Sequence, residues 1–165
     1  MINNFNKNQR LTIKYSIVIP IYNGMNTFQF TFPWIIKNIN REDVEFIVVD
    51  NHSDDGLHKF VEGLNDQRIR LIRLNKKRVV GESLSCGLRV AKGEWVTYLG
   101  DDDQLLTASL DFLDKSVSKN LDIDIIIFQS IRFYWPKKNK KISSYLSKNF
   151  SGSLEIKKSS ELIDT

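Results

Sequence analysis

The 165-residue sequence predicts an α/β fold of three layers, α/β/α, in which helices cover both faces of a mostly parallel central sheet. Apolar runs of strand length alternate along the chain with segments whose apolar residues recur at helical spacing. The first run, Tyr15–Ile21, is almost uninterrupted, which is typical of a strand covered on both faces. Strands that alternate with helices in this way form parallel sheets.

Local signals set the boundaries of these elements. Pro20 is expected to end the ladder pairing of the first strand, and Gly24 completes the turn after it. Pro33 either kinks the first helix or begins it, and Gly93 closes the third helix. The predicted strands cover residues 15–21, 45–50, 68–74, 94–99 and 123–130, and the predicted helices cover residues 26–40, 57–64, 80–91 and 105–118.

Composition is that of a soluble globular protein, with 41% hydrophobic and 27% charged residues. The sequence has no apolar run of about 18 residues that could span a membrane, and its first 14 residues lack the apolar core of a signal peptide. Cys86, the only cysteine, excludes an internal disulfide and is expected to be a small buried hydrophobe. These features predict a cytoplasmic protein.

The net charge of +4 comes from two basic groups, within residues 68–78 and 137–158. Such groups can bind nucleic acid, anionic lipid or phosphate, or they form a solvated surface. No nucleic-acid-binding motif accompanies them. We therefore expect no nucleic-acid partner.

Three consecutive carboxylates, Asp101, Asp102 and Asp103, follow the fourth predicted strand. On an extended backbone Asp101 and Asp103 share a face about 6–7 Å apart, and their repulsion is about 2–3 kcal/mol at an effective dielectric constant of about 20. A divalent cation reverses the sign of this interaction, and oxygen-only ligands suit Mg²⁺ or Mn²⁺. The alternative is a solvated turn in which one aspartate caps the helix near Leu105.

Polar residues also follow two other predicted strands. Tyr22 and Asn23 come after the first strand, and Asp50 and Asn51 end the second. Ligands of open parallel sheets bind beyond the carboxyl ends of the strands. Because three strand ends carry polar side chains, the pattern favours a binding site over a solvated turn.

The most distinctive blocks of the sequence are Ser16–Asn23, Ile47–Gly56, Gly87–Val96 and Leu99–Asp103. In order and spacing they resemble the family 2 glycosyltransferases, whose N-terminal half is a nucleotide-binding GT-A fold. The resemblance implies a fold like that of the nucleotide-diphospho-sugar transferases. The polar residues 1–13 are expected to form a flexible leader. The resemblance implies a nucleotide-sugar-binding domain at 14–135, followed by a basic, partly irregular tail at 136–165 that would begin a truncated acceptor-binding half.

The resemblance further implies a nucleotide-diphosphate sugar as donor, with a UDP-sugar favoured. Pro20 and Tyr22 would shape the edge of the base pocket, with Asn23 beside them. Asp50 and Asn51 would hydrogen-bond the base, since a carboxylate accepts from a ring N–H such as that of uracil. The family often has aspartate at the second position of this pair. Asn51 keeps an acceptor but lacks the charge, so the base preference stays open.

By the same resemblance, Asp101 would face the ribose, and Asp102 and Asp103 would bind a Mg²⁺ or Mn²⁺ ion that bridges the two phosphates. Asp102 is the first choice of direct ligand. The metal would offset the negative charge on the departing nucleoside diphosphate. The family commonly carries an arginine before the third block; this chain has none there, and Arg78 is a candidate substitute.

The predicted function is an inverting glycosyltransferase of bacterial surface polysaccharide synthesis, which transfers a sugar to an acceptor hydroxyl. The expected acceptor is a glycan or a lipid-linked molecule, with peripheral contact at the inner face of the cell membrane and self-association. Family members carry a catalytic base in an acceptor-binding half. Only about 60 residues follow Asp103 and none of their carboxylates lies in a matching motif, so the general base is unassigned.

Two alternatives remain. The chain could be a non-catalytic module or fragment that binds a nucleotide sugar without turnover. It could also be a sugar-nucleotidyltransferase, although such enzymes usually have a Gly-rich phosphate loop with a basic residue after the first strand, and this chain lacks one.

Overall fold

The computed structural model describes residues 12–119 and 123–126. Its strands form one parallel sheet in the order β3-β2-β1-β4. Helices alternate with the strands, so the predicted α/β class is confirmed. The elements are β1 (Tyr15–Ile21), α1 (Met25–Asn38), β2 (Val44–Asp50), α2 (Leu57–Glu62), β3 (Ile69–Arg73), α3 (Val80–Leu88), β4 (Trp95–Tyr98) and α4 (Thr107–Lys119).

The chain divides into two compact units at Asp111, within α4. The first unit contains the whole sheet and helices α1 to α3. The described part of the second unit consists of the rest of α4 and residues 123–126. Only residues 12 and 13 of the predicted leader are described, and the predicted tail lies outside the described residues. Within the described ranges, no helix is both long and apolar enough to cross a membrane.

Helices cover both faces of the sheet in the first unit. On one face Gly87 of α3 lies so close to Val18 and Val49 that an added Cβ atom would overlap Val18. Successive side chains of a strand point to opposite faces, so Phe46 lies on the other face from Val49. There Phe46 meets Phe32 of α1 edge to face, with ring centroids 5.7 Å apart. This packing gives the three predicted layers.

The two prolines of this region lie inside regular elements. Pro33 is within α1, so the helix does not begin there. Pro20 does not end the pairing of β1, which continues with β2 as far as Ile21. Successive residues of a central parallel strand bond to the strands on opposite sides of it. Val18 C=O accepts from the N–H of Leu99, just after β4, and Ile21 C=O accepts from the N–H of Asn51, just after β2. The N–H that proline lacks would therefore point from Pro20 toward β4, where the pairing of β1 ends at Val18 and no ladder hydrogen bond is lost.

Two strand predictions are corrected. β4, predicted as a buried strand, is an edge strand of the described sheet, and Val96 and Tyr98 are 44% and 67% exposed. Residues 123–126, predicted to begin a fifth strand, adopt no strand structure, because they pair with none of the described strands. The remainder of that predicted strand, residues 127–130, lies outside the described residues.

Arg68, just before β3, joins the end of α1 to the sheet. Its guanidinium donates to the carbonyl oxygens of Ile36 (2.9 Å) and Ile39 and forms a 2.6 Å ion pair with Asp66. It also lies 5.4 Å from the Phe46 ring centroid. These hydrogen bonds satisfy carbonyl groups that the end of a helix leaves without partners. The side-chain hydrogen bond from Arg68 to Asp66 holds the pKa of Asp66 below the usual range for an aspartate.

We expect Arg68→Met to lower the free energy of unfolding by about 2–4 kcal/mol, because it removes several charge-assisted hydrogen bonds. A lowered carboxyl pKa stabilises the fold above about pH 4, and this contribution is lost as the pH falls through the lowered pKa. Urea unfolding between pH 2.5 and 6 should therefore show less acid dependence in the variant. Arg70→Met, which removes one hydrogen bond to Val90, is the control and should lose less. Equal losses would contradict the role of Arg68.

Candidate functional site

The loops after β1, β2 and β4 meet at the carboxyl edge of the sheet, as the sequence predicted. The Asn51 N–H donates to Ile21 C=O at 2.7 Å, which joins the ends of β1 and β2. Gly24 lies against the Asp101 carboxylate so closely that a Cβ atom would overlap it. The Thr31 hydroxyl donates to the Asp101 C=O at 2.9 Å. Residues from three strand ends are therefore in contact.

The turn after β2 holds the loop after β1 through three hydrogen bonds. Asn23 N–H donates to Ser53 Oγ (3.0 Å), Asp54 N–H donates to Asn23 Oδ1 (3.0 Å), and Met25 N–H donates to Asp55 Oδ2 (2.9 Å). Asn23 has φ of 53°, in the left-handed region that asparagine tolerates better than most residues. The predicted site residue Asn23 therefore fixes the shape of the loop.

Asp50, the predicted base ligand at the end of β2, is completely buried. Its Oδ1 accepts from the Ser53 N–H at 2.7 Å. Among the residues that the structure describes, its Oδ2 has no hydrogen-bond partner, and it lies 3.7 Å from Arg73 Nε in an ion pair. A buried carboxylate oxygen without a donor is unusual, and the ring N–H of a base is a donor that would satisfy it.

Asn51, the second predicted base ligand, uses both ends of its side-chain amide within the chain. Nδ2 donates to the Arg78 C=O, and the Arg78 N–H donates to Oδ1, both at 2.8 Å. This pair attaches the connection between β3 and α3 to the end of β2. An aspartate here could accept from Arg78 but could not donate to it, so the pairing explains the amide. The base contact of Asn51 stays a prediction.

Tyr22 is exposed at the end of β1, while Pro20 is half-buried inside the strand. The Lys77 ammonium lies 3.8 Å from the centroid of the Tyr22 ring, within cation–π range. Lys77 comes from the same β3–α3 connection that Asn51 holds. The predicted edge of the base pocket therefore carries a positive charge.

The three aspartates after β4 differ in their surroundings. Burial raises the pKa of Asp101 above the usual range for an aspartate, and the carboxylates of Asp102, Asp103 and Asp55 add to the effect. Asp103 Oδ2 accepts from the Gly100 N–H at 3.1 Å and closes the turn. Asp102 is exposed. None of the three is at the N-cap of α4, which begins only at Thr107.

Among the residues that the structure describes, no group of three or more His, Cys, Asp or Glu side chains could hold a metal ion by itself. Mg²⁺ at substrate sites is usually held by one or two carboxylates together with phosphate oxygens. The exposed Asp102 carboxylate fits that arrangement, and so does the outer oxygen of Asp103, which is Oδ1, the oxygen that is not bonded to Gly100. The site therefore suits a metal that arrives with a phosphate ligand.

The family model described as Glycosyl transferase family 2 matches residues 16–158. The chain belongs to this family. It is 34% identical over 109 residues to the GalNAc(5)-diNAcBac-PP-undecaprenol beta-1,3-glucosyltransferase of Campylobacter jejuni, an alignment that covers 64% of this chain and 35% of that protein. It is 27% identical over 95 residues to the UDP-Glc:alpha-D-GlcNAc-diphosphoundecaprenol beta-1,3-glucosyltransferase WfaP of Escherichia coli, with 58% and 38% covered.

Solved structures give the same fold. S. aureus TarS 1-349 in complex with UDP-GlcNAc aligns with a TM-score of 0.60 and 23% identity, over 64% of this chain and 31% of that one. The mannosyltransferase PcManGT from Pyrobaculum calidifontis, in complex with GDP-Man and Mn²⁺, aligns with a TM-score of 0.56 and 23% identity, over 64% and 32%. These likenesses confirm the GT-A fold. This family 2 chain spans about a third of the length of each protein compared.

Two residues that contact predicted residues of this family 2 site were not themselves predicted to belong to it. Ser53 lies in the polar turn after β2 that the sequence already indicated. It could have been predicted as a turn residue whose N–H donates to the Asp50 carboxylate. Lys77 belongs to the basic group at 68–78 that the sequence already indicated, but its contact with Tyr22 was not predictable because the two positions are 55 residues apart in the chain.

Proposed function

We propose that this chain is the donor-binding part of an inverting glycosyltransferase, which transfers a sugar from a nucleotide-diphosphate sugar to an acceptor hydroxyl. The observation that carries the proposal is the meeting of three strand ends. On one side lies Asp50 Oδ2, which accepts no hydrogen bond from the described residues, and on the other side lie the aspartates after β4. Membership of glycosyl transferase family 2 supports this reaction. The family context also supports a role in bacterial polysaccharide or lipid-linked glycan synthesis.

A UDP-sugar is the proposed donor. The uracil ring N–H would donate to Asp50 Oδ2, to which no other donor in the described part of the chain is hydrogen-bonded. Pro20, Tyr22 and Asn23 would border the base, and Asn51 would lie beside it. Solved relatives are complexed with UDP-GlcNAc in one case and GDP-Man in another, so the base must be tested directly.

The proposed cofactor is Mg²⁺ or Mn²⁺, held by Asp102 and by the outer oxygen of Asp103, with Asp101 turned toward the ribose. Such an ion stabilises negative charge on a departing diphosphate. Burial raises the pKa of Asp101 above the usual range for an aspartate, and the neighbouring carboxylates raise it further, which supports the proposal of a cation at this position. A nucleoside diphosphate and a divalent ion should therefore bind more tightly together than either alone.

A glycan or a lipid-linked molecule is the proposed acceptor, because the Campylobacter and Escherichia relatives are named for undecaprenol-linked substrates. Such an acceptor would place the protein in the cytoplasm, against the inner face of the cell membrane. Exposed apolar residues on edge strand β4, Val96 and Tyr98, would support self-association.

The second candidate function is a module that binds a nucleotide sugar without turnover. The observation that favours it is that no general base is assigned among residues 12–119 and 123–126, the part of the chain that the structure describes. An acceptor hydroxyl without a base reacts about 10²–10⁴-fold more slowly.

The 165-residue chain should bind UDP in the presence of Mn²⁺ and transfer sugar at a barely detectable rate. Calorimetric titration with UDP and GDP, with and without Mn²⁺, measures the first part, and release of UDP from UDP-sugars in the presence of acceptors measures the second. Absence of nucleotide binding would contradict the proposed donor site. Turnover above about 1 s⁻¹ would exclude binding without turnover. The search for a general base would then turn to Glu155, Glu161 and Asp164.

A further inference from the structure

Lys77 places a positive charge on the ring of Tyr22, beside the proposed donor site. Its ammonium lies 3.8 Å from the ring centroid, and Tyr22 is 44% exposed. Exposed lysines seldom keep a fixed contact, because holding the side chain costs rotamer entropy. This contact therefore needs a structural cause.

The backbone on either side of Lys77 is fixed to the end of β2. The Leu74 N–H donates to the Asp50 C=O at 2.9 Å, and the Arg78 backbone forms two hydrogen bonds with the Asn51 side chain. Lys77 lies between these two attachments. Its Cα position is thus restrained near Tyr22, while its long side chain can still change direction.

Several carboxylates lie at this edge of the sheet, among them those of Asp55, Asp101, Asp102 and Asp103. The Asp101 carboxylate lies against Gly24, and Asp55 Oδ2 accepts from the N–H of the next residue, Met25, at 2.9 Å, so the loops after β2 and β4 bring their negative charges close together. A nucleoside diphosphate adds further negative charge. A divalent ion offsets part of it, and a mobile ammonium at the rim of the site can offset another part.

We propose that Lys77 is a ligand of the donor diphosphate and that it rests on Tyr22 until the donor binds. On binding, the ammonium leaves the ring and pairs with a phosphate oxygen, which uncovers the ring face beside the base. The exchange is favourable because a charge-assisted hydrogen bond to phosphate outweighs an exposed cation–π contact. The inference rests on the proposed donor site but not on the identity of the metal.

The test compares Lys77→Met with Lys76→Met, a neighbouring exposed lysine, by calorimetric titration with UDP and with uridine. Lys77→Met should weaken UDP binding about tenfold and leave uridine binding unchanged or stronger. Lys76→Met should change neither ligand by more than about twofold, since it loses only a screened charge. Lys77→Arg should keep most of the UDP affinity, because arginine also pairs with phosphate.

Each other outcome has a definite meaning. UDP affinity that is unchanged in Lys77→Met would overturn the phosphate role. Equal loss of UDP and uridine would also overturn it, because the contact would then be with the base or with Tyr22 alone. If the wild-type chain binds UDP no more tightly than uridine, the diphosphate adds no affinity. Lys77 is then excluded as a phosphate ligand, while the proposed base pocket is still supported. A wild-type chain that binds neither ligand would overturn the proposed donor site together with this inference.

Discussion

Asp102→Ala should reduce the affinity for UDP measured with Mn²⁺ to the affinity measured without it. Asp102 is exposed after β4, so its side chain contributes little packing and the fold should be unchanged. One carboxylate oxygen of the neighbouring Asp103 accepts from the Gly100 N–H. Asp102 is therefore the carboxylate best placed to bind an ion. Removing a direct ligand takes away both a metal–oxygen bond and a charge that attracts the cation.

Titration with UDP in Mn²⁺ and in a chelator measures this effect, and thermal unfolding checks the fold. Asp54→Ala is the matched control, because Asp54 is another exposed aspartate at the same edge of the sheet. It should preserve the Mn²⁺ dependence. The metal proposal fails if wild-type UDP affinity is the same with and without Mn²⁺, or if Asp102→Ala binds as the wild type does.

The order of the elements was predictable because a strand that is buried on both faces has a nearly continuous run of apolar residues. β1 and β2 are central, and their apolar runs were assigned correctly. β4 has a similar apolar composition, yet it is an edge strand with exposed side chains. Composition reports that a residue is apolar, whereas the position in the sheet depends on long-range pairing. For the same reason the apolar composition of residues 123–126 was not enough to predict their structure, which is not a strand.

The site was predictable in position but only partly in detail. Parallel strands bring their carboxyl ends to one edge whatever the sequence, so Asp50, Asn51 and the aspartates after β4 could be grouped in advance. The hydrogen bonds that occupy Asn51 involve Arg78, which is 27 residues away. The contact between Tyr22 and Lys77 joins residues that lie 55 positions apart. Such pairs depend on how loops approach one another, and no local periodicity records this.

Asp50→Ala should lower the free energy of unfolding by about 2–4 kcal/mol. The variant leaves the Ser53 N–H without its acceptor and Arg73 without its nearest carboxylate. Ser53 in turn accepts from the Asn23 N–H, so the loop after β1 should loosen as well. Urea unfolding followed by circular dichroism measures the change. A variant within about 1 kcal/mol of the wild type would contradict this structural role.

Asp50→Asn separates the structural role of Asp50 from its proposed role in base binding. The amide oxygen can still accept from Ser53, so the fold should remain intact, but an NH₂ group then occupies the position of Oδ2. Because an amide N–H cannot accept from the uracil ring N–H, UDP binding should weaken about tenfold or more, while binding of inorganic pyrophosphate should not change. If UDP binds this folded variant as it binds the wild type, Asp50 only supports the turn. Equal weakening of UDP and pyrophosphate would likewise exclude a specific base contact, since pyrophosphate has no base to lose.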